Sequence, residues 1–142
     1  MSILDLSKPS HVVVSDRLQR EIPIWLTTVG RAGQPQSSPV WFLWDDEVFH
    51  LISQPGATKI TNLKENPLVS LHLQADEIAE EDIAIFEGVA EFEPDGADAA
   101  WLPAFLEKYR QRIDSYGWTP EGMLADYSVS LRVTPTRIRT TS

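Results

Sequence analysis

The sequence predicts a mainly β (α+β) domain: an antiparallel barrel of six strands with short helices at its rim. Short segments rich in β-branched and aromatic residues alternate with turn signals through the first two thirds of the chain. The element order β-β-β-α-β-β-α-α-β contains no regular βαβ alternation, which argues against a parallel doubly wound sheet and for a small closed barrel. The 142 residues, 42% of them hydrophobic, suit one domain with its own core.

Residues 1–17 read as a leader, 18–95 as barrel strands with one short helix, 96–128 as a helical segment and 129–139 as a closing strand. In the barrel, "IWLTTV" (24–29) is the first strand and "GRAGQP" the turn after it. "QSSPVWFLW" (36–44) and "VFHLIS" (48–53) follow, joined by "DDE", so three strands form a meander. A helix is expected over 59–65, with Ile60 and Leu63 on one face and Asn66-Pro67 stopping it. "LVSLHLQA" (68–75) alternates, with Val69, Leu71 and Leu73 on one side.

The acidic stretch 76–82 lacks the glycine and ligand spacing of a calcium loop and reads as a solvated hairpin connection. In the long strand 83–93, Ala84, Phe86, Gly88, Ala90 and Phe92 share a face, and Gly88 marks a bulge or a close approach of another group. Over 98–113, Trp101, Phe105 and Tyr109 recur at helical spacing, with Pro103 near the start. Thr119 and Pro120 open a second helix, and "SVSLRVTPTRI" closes the barrel.

Composition removes whole classes of function. Without cysteine there are no disulfides, thiolate metal sites or thiol nucleophiles. With 21 acidic against 12 basic residues the formal charge is -9, and binding to nucleic acid, which is driven by phosphate neutralisation, is not expected. The amino terminus has no basic leader and apolar core of the signal-peptide kind, and "VWFLW" is far short of a membrane span. The expectation is a soluble, cytoplasmic protein. His11, His50 and His72 do not fall at metal-ligand spacing, so no metal site is expected. No nucleophile elbow, Walker loop or dinucleotide fingerprint is present, so a bound cofactor is the natural carrier of any chemistry.

Two stretches hold the candidate site. In "SQPGATKITNLKENP" a strand ends at Ser53, a Pro-Gly turn follows, and Lys59 stands where the helix begins, with Thr58 as the expected N-cap. A helix N-terminus carries free N–H groups and a partial positive charge, so a cation there weakens the helix while an anion is welcome. Lys59 is either a solvated lysine or one placed for a phosphate, and the residues alone fit both. In "QSSPVWFLWDD", Pro39 points to a strand edge or start. Val40, Phe42 and Trp44 alternate with Trp41 and Leu43, so the tryptophans face opposite sides. One of them then lies outside the core unless the strand is covered twice, which favours a dimer interface or a platform beside a planar ligand.

The run "WLTTVGRAGQPQSSPVWFLWDDEVFHLISQPGATKITNLKENPLVSLHL", continued by "FEGVAEFE" and "YSVSLRVTPTRIR", resembles the pyridoxamine 5'-phosphate oxidase-like proteins of the FMN-binding split β-barrel type. Within them it is most similar to the small deazaflavin (coenzyme F-420)-dependent oxidoreductases. The resemblance implies a homodimer with cofactor sites at the subunit interface. It implies a flavin or deazaflavin phosphate held by Ser53, Thr58 and Lys59, and a ring lying along Gln36, Ser37, Ser38, Pro39, Val40 and Trp41. The chemistry implied is hydride transfer between coenzyme F-420 or FMN and a small organic substrate, with no catalytic side chain named. A non-catalytic carrier of a flavin, a deazaflavin or haem on the same barrel is the alternative. One departure is visible: Thr61, Glu65 and Leu68 stand where deazaflavin-using relatives tend to carry arginines that suit the coenzyme's acidic tail. Trp101, Trp118 and Tyr127 are candidate walls of a substrate pocket, plain core packing being the other reading for each.

Overall fold

The computed structural model describes residues 2–76, 83–94 and 96–141. Six antiparallel strands close into a barrel in the order β1-β2-β3-β6-β5-β4, with β1 at Pro23–Val29, β2 at Pro35–Asp45, β3 at Val48–Ser53, β4 at Leu68–His72, β5 at Ala84–Glu93 and β6 at Val129–Thr140. Four α-helices surround it: α1 (Pro9–Arg20), α2 (Thr58–Glu65), α3 (Leu102–Ser115) and α4 (Pro120–Asp126). The expected six-stranded antiparallel barrel is found, and the elements from β1 onward follow the expected order along the chain. Most of the acidic connection 76–82 lies outside the described residues.

The local chemistry accounts for each turn. β2 and β3 are joined by Asp46 and Glu47 alone, both at positive φ (52° and 67°), the backbone of a tight hairpin matched to strand twist. Between β1 and β2, Gly33 takes φ 83° and donates its N–H to the Gly30 carbonyl at 2.9 Å. The expected irregularity at Gly88 is a register shift in the β5–β6 pairing between Glu87 and Gly88. A side chain at Gly88 would meet the Thr134 carbonyl oxygen and Val133 Cγ1, each 2.9 Å from its Cβ, so the close approach is one of β6 backbone.

Inside the barrel, Ile24, Leu26, Phe42, Phe49, Leu51, Leu71, Phe86 and Val133 form the main core, closed at one end by Ile60 and Leu63 of α2. α1 was not expected in the segment read as a leader. It forms because Pro9 suits a first helical turn and because His11, Val14 and Leu18, spaced three and four apart, are all buried. α3 begins at Leu102 rather than at 98, since Pro103 has no N–H and is tolerated only in the first turn; residues 96–98 form a separate 3₁₀ turn.

A second core lies outside the barrel, where α3 packs on the outer face of β2 and β3 through Leu43, Ile52, Trp101, Phe105, Tyr109 and Ile113. Strand β2 is therefore covered twice within one chain. Trp44 packs inward against Phe49, their ring centroids 4.7 Å apart, while Trp41 lies flat on Tyr109 at 4.5 Å with an interplanar angle of 1°. The two tryptophans thus do not call for a dimer interface, because α3 supplies the second cover.

Candidate functional site

Strand β2 is longer than the partner that follows it. It pairs with β1 from Pro35 to Trp41, but with β3 only from Phe42 to Asp45. Over residues 35–41 no strand among the described residues pairs with the β3-facing edge of β2, so the barrel is split there. Pro39, with no N–H to offer, sits on this open stretch, as expected of a proline within a strand. Where β1 gives out beyond Pro23, Tyr109 of α3 takes up the backbone of Phe42. Its hydroxyl accepts from the Phe42 N–H at 2.7 Å and is within 2.7 and 2.9 Å of the Phe42 and Ile22 carbonyls, either of which can take its proton. Burial pushes the Tyr109 hydroxyl pKa up, so it stays protonated.

The split opens into a cavity of about 410 Å³. Pro39, Val40 and Trp41 form one wall; Ile52, Ser53 and Gln54 form the second. Ala57 and Lys59 of the α2 start line it too, with Tyr116 and Trp118 from the connection between α3 and α4, Met123 of α4 and Tyr127 just after α4. Among the described residues Lys59 is the single charged side chain lining it. It is half-buried, and burial alone lowers its pKa. Among the described residues no carboxylate lies within ion-pair distance of it. An unpaired cation out of water is costly, and an anion in the cavity relieves that cost.

The helix end beside it has the same character. The N-cap of α2 is Ala57, not Thr58, and it has no side chain to accept a hydrogen bond. Thr58 is the first helical residue and is exposed; the helix begins one position before the expected start at Lys59. Ile60 N–H bonds the Ala57 carbonyl at 3.0 Å, while the N–H groups of Thr58 and Lys59 have no acceptor among the described residues. These are the orphan donors of a helix start, and an anion beside Lys59 can take them.

Of the nine residues singled out in the sequence, the cavity brings together Pro39, Val40, Trp41, Ser53 and Lys59. Ser53 is buried and its hydroxyl donates to the Gln54 carbonyl at 3.0 Å. Gln36, Ser37, Ser38 and Thr58 do not line it. The Gln36 side-chain oxygen accepts from Asn62 Nδ2 at 2.9 Å, tying β2 to α2, and Ser37 Oγ lies 2.7 Å from Thr27 Oγ1 across the β1–β2 pair. Of the three aromatic residues considered as pocket walls or as core, Trp118 and Tyr127 line the cavity. Trp101 does not: it stacks on His50 at 4.6 Å and donates to Glu93 Oε2 at 3.3 Å beneath the start of α3. Gln54, Tyr116 and Met123 were not anticipated; Gln54 follows Ser53 directly, while the other two come from a distant segment that no local spacing connects to β2. Among the described residues no histidine lines the cavity, and no three metal-ligating side chains form a cluster.

The family model described as pyridoxamine 5'-phosphate oxidase matches residues 13–142. The chain belongs to that family. Among solved structures it is similar to an F420 reductase, at 25% identity and a TM-score of 0.67, covering 88% of this chain and 94% of that one. The haem-storage protein HutZ from Vibrio cholerae superposes with a TM-score of 0.71 at 20% identity, covering 94% and 95% of the two chains. A conserved hypothetical protein from Mycobacterium tuberculosis does so at 0.68 and 24% identity, covering 93% and 84%. No protein among the curated ones matches the sequence. Among the described residues no helix is long and apolar enough to cross a membrane.

Proposed function

We propose that this family member binds a phosphate-bearing flavin-type cofactor, coenzyme F-420 in the first place and FMN in the second, and is an oxidoreductase for a small organic substrate. The observation that carries the reading is Lys59: a half-buried ammonium that, among the described residues, has no counter-charge and stands beside two N–H groups without an acceptor, in a cavity at the barrel split. Those donors fit a phosphate, and the likeness at 25% identity to an F420 reductase supports the deazaflavin. In the family's manner, the partner subunit of a homodimer would complete the site.

When bound, the cofactor supplies hydride chemistry through its ring. The chain's own part is binding and orientation. Lys59 and the first turn of α2 hold the phosphate, and the open edge of β2 offers backbone groups to the ring. Trp41, stacked flat on Tyr109, offers a planar wall, and Met123 with Trp118 limits water.

Against a tail-bearing deazaflavin stand the exposed positions after the lysine. Thr61 and Leu68 carry no charge, and Glu65 forms an ion pair with Arg31, so these three positions offer no cation to an acidic tail. FMN needs no such track. The test is titration of cofactor-free protein with each compound, following the quenching of tryptophan emission. Saturable binding of either supports the reading and names the cofactor; binding of neither refutes it. Turnover with the reduced cofactor and a panel of acceptors then separates an oxidoreductase from a carrier on the same barrel.

A further inference from the structure

Beside the cavity, at Trp118, lies a second and open hollow of about 300 Å³. The two share Gln54, Trp118, Met123 and Tyr127, so Trp118 and its neighbours are a partition. Its additional walls are Thr119, Gly122 and Asp126. The charges of the two spaces are opposite. The first holds Lys59 as its single charged side chain, and the second holds Asp126 as its own.

Asp126 occupies a position as anomalous as that of Lys59. It is the last residue of α4, where the helix dipole puts partial negative charge and a carboxylate is disfavoured. The rest of α4 obeys the helix rules. Thr119 caps it by accepting from the Gly122 N–H at 3.0 Å, Pro120 opens it, and Glu121 lies in the first turn where an acid helps. No basic residue lies in its last turn, and no cation among the described residues is within ion-pair distance of Asp126. Beside the carboxylate stand two electron-rich rings, Trp118 and Tyr127, the amide of Gln54 and the thioether of Met123. Trp118 is held next to Tyr116 by a turn in which Gly117 takes φ 71°, with the ring centroids of the pair 4.8 Å apart.

We propose that this second cavity is a subsite for an organic ammonium group carried on an apolar body. The Trp118 and Tyr127 faces offer the cation–π surface, Asp126 the counter-charge, and Met123 the apolar floor. With the phosphate end of the cofactor at Lys59, the ammonium-bearing molecule is the substrate, and Trp118 sets how far it reaches toward the first cavity. The identification as substrate rests on the cofactor reading above; the binding of the cation does not.

The test uses the full-length protein with 2-phenylethylammonium and its uncharged counterpart 2-phenylethanol, read by the indole N–H resonances in ¹H–¹⁵N spectra. The ammonium should bind about three- to tenfold more tightly than the alcohol, with the largest shift at Trp118. Asp126→Asn should cut that preference at least by half, leaving what the rings supply, and should not lower thermal stability, since the side chain is exposed and a carboxylate is unfavourable at a helix C-terminus. Trp118→Leu should weaken both compounds. Lys59→Gln should leave the ratio as it was. Equal binding of the two compounds overturns the proposal. So does a preference that Asp126→Asn leaves undiminished, or one whose shifts fall on tryptophans other than Trp118. A preserved ammonium preference in a protein that binds neither FMN nor F-420 refutes the cofactor reading, and the substrate role with it, while the subsite stands.

Discussion

Replacing Lys59 by glutamine separates a lysine that holds a phosphate from one that merely decorates the surface. A hydrogen bond from an ammonium to an anionic oxygen contributes about 1.5–3 kcal/mol net. At about 1.4 kcal/mol per tenfold, Lys59→Gln should lose about ten- to a hundredfold in affinity for F-420 or FMN. The cofactor-free protein should respond differently. Burial lowers the folded-state pKa of Lys59 from 10.5, with no ion pair to oppose it. Below that lowered pKa the lysine is charged in both folded and unfolded chains, and the full cost of burying the charge is present. As pH rises from there toward 10.5, the unfolded chain holds the proton more tightly, so stability increases with pH. Glutamine carries no charge, so the variant should be at least as stable as the parent at neutral pH and should lose this part of the alkaline gain.

The assay pairs tryptophan quenching on titration with the cofactor, for which Trp41 and Trp118 are the reporters in the cavity, with urea unfolding of the cofactor-free protein. Affinity falls and stability does not. A variant that keeps its affinity within about threefold refutes the phosphate role, since even the weak end of the expected range exceeds that. A variant that loses stability and affinity together refutes it in another way, because Lys59 would then be a structural residue.

Two further perturbations test the frame that holds the site. Gly88→Ala places a methyl group 2.9 Å from the Thr134 carbonyl oxygen and from Val133 Cγ1, and the first of these is backbone that moves only with β6. Urea unfolding should show a loss of about 1–3 kcal/mol, and unchanged stability would mean that the bulge relaxes freely. Lys108, whose Nζ donates to the Phe42 carbonyl at 2.9 Å and lies 3.7 Å above the Phe42 ring, has its pKa lowered by burial to about 8. Stability should therefore rise between pH 8 and 10.5 as the unfolded chain keeps the proton that the folded one gives up, and Lys108→Met should remove much of that rise. Near pH 10 the trend turns back, because Tyr109, its pKa raised by burial, ionises first in the unfolded chain. A parent and a Lys108→Met variant with parallel pH profiles would overturn the assignment.

What the sequence made legible, and what it did not, follows the range of the interactions. Turn chemistry and alternation are local, so the strands, the bulge at Gly88 and the Thr119 cap could be read directly. The cavity's Lys59 and Ser53 could be found because a strand end, a turn and a helix start are contiguous. Trp41 could not be placed, since its cover is Tyr109 on α3, far along the chain. For the same reason Tyr116 and Met123 carried no local signal of belonging to the cavity. α1 is a different case. Its three consecutive valines weaken a helical reading, yet His11, Val14 and Leu18 at helical spacing after Pro9 were a usable sign. The shift of the N-cap from Thr58 to Ala57 is the ordinary uncertainty of a helix boundary, and here it matters, because an uncapped start leaves its N–H groups available to a ligand.

One mismatch of length generates the whole arrangement. β2 runs for 11 residues and β3 for 6, so β2 outlasts its neighbour and leaves an open edge. A proline is harmless on such an edge, whereas in a strand paired on both sides it would lose a ladder bond. The chain leaving β3 at Ser53 must then turn to close the barrel end, and the helix it starts brings Lys59 to the mouth of the gap that the missing pairing created. Outer cover comes from α3 and α4, whose connection lays Tyr116 and Trp118 over the same gap. The net charge of -9 does not oppose an anion here, because the field inside a low-dielectric cavity is set by the groups that line it, and Lys59 is the single charge among them. A solvated lysine elsewhere on this acidic surface would be screened and inconsequential; lining a cavity at an open strand edge, the same residue is the basis on which we propose an anionic end group for the ligand.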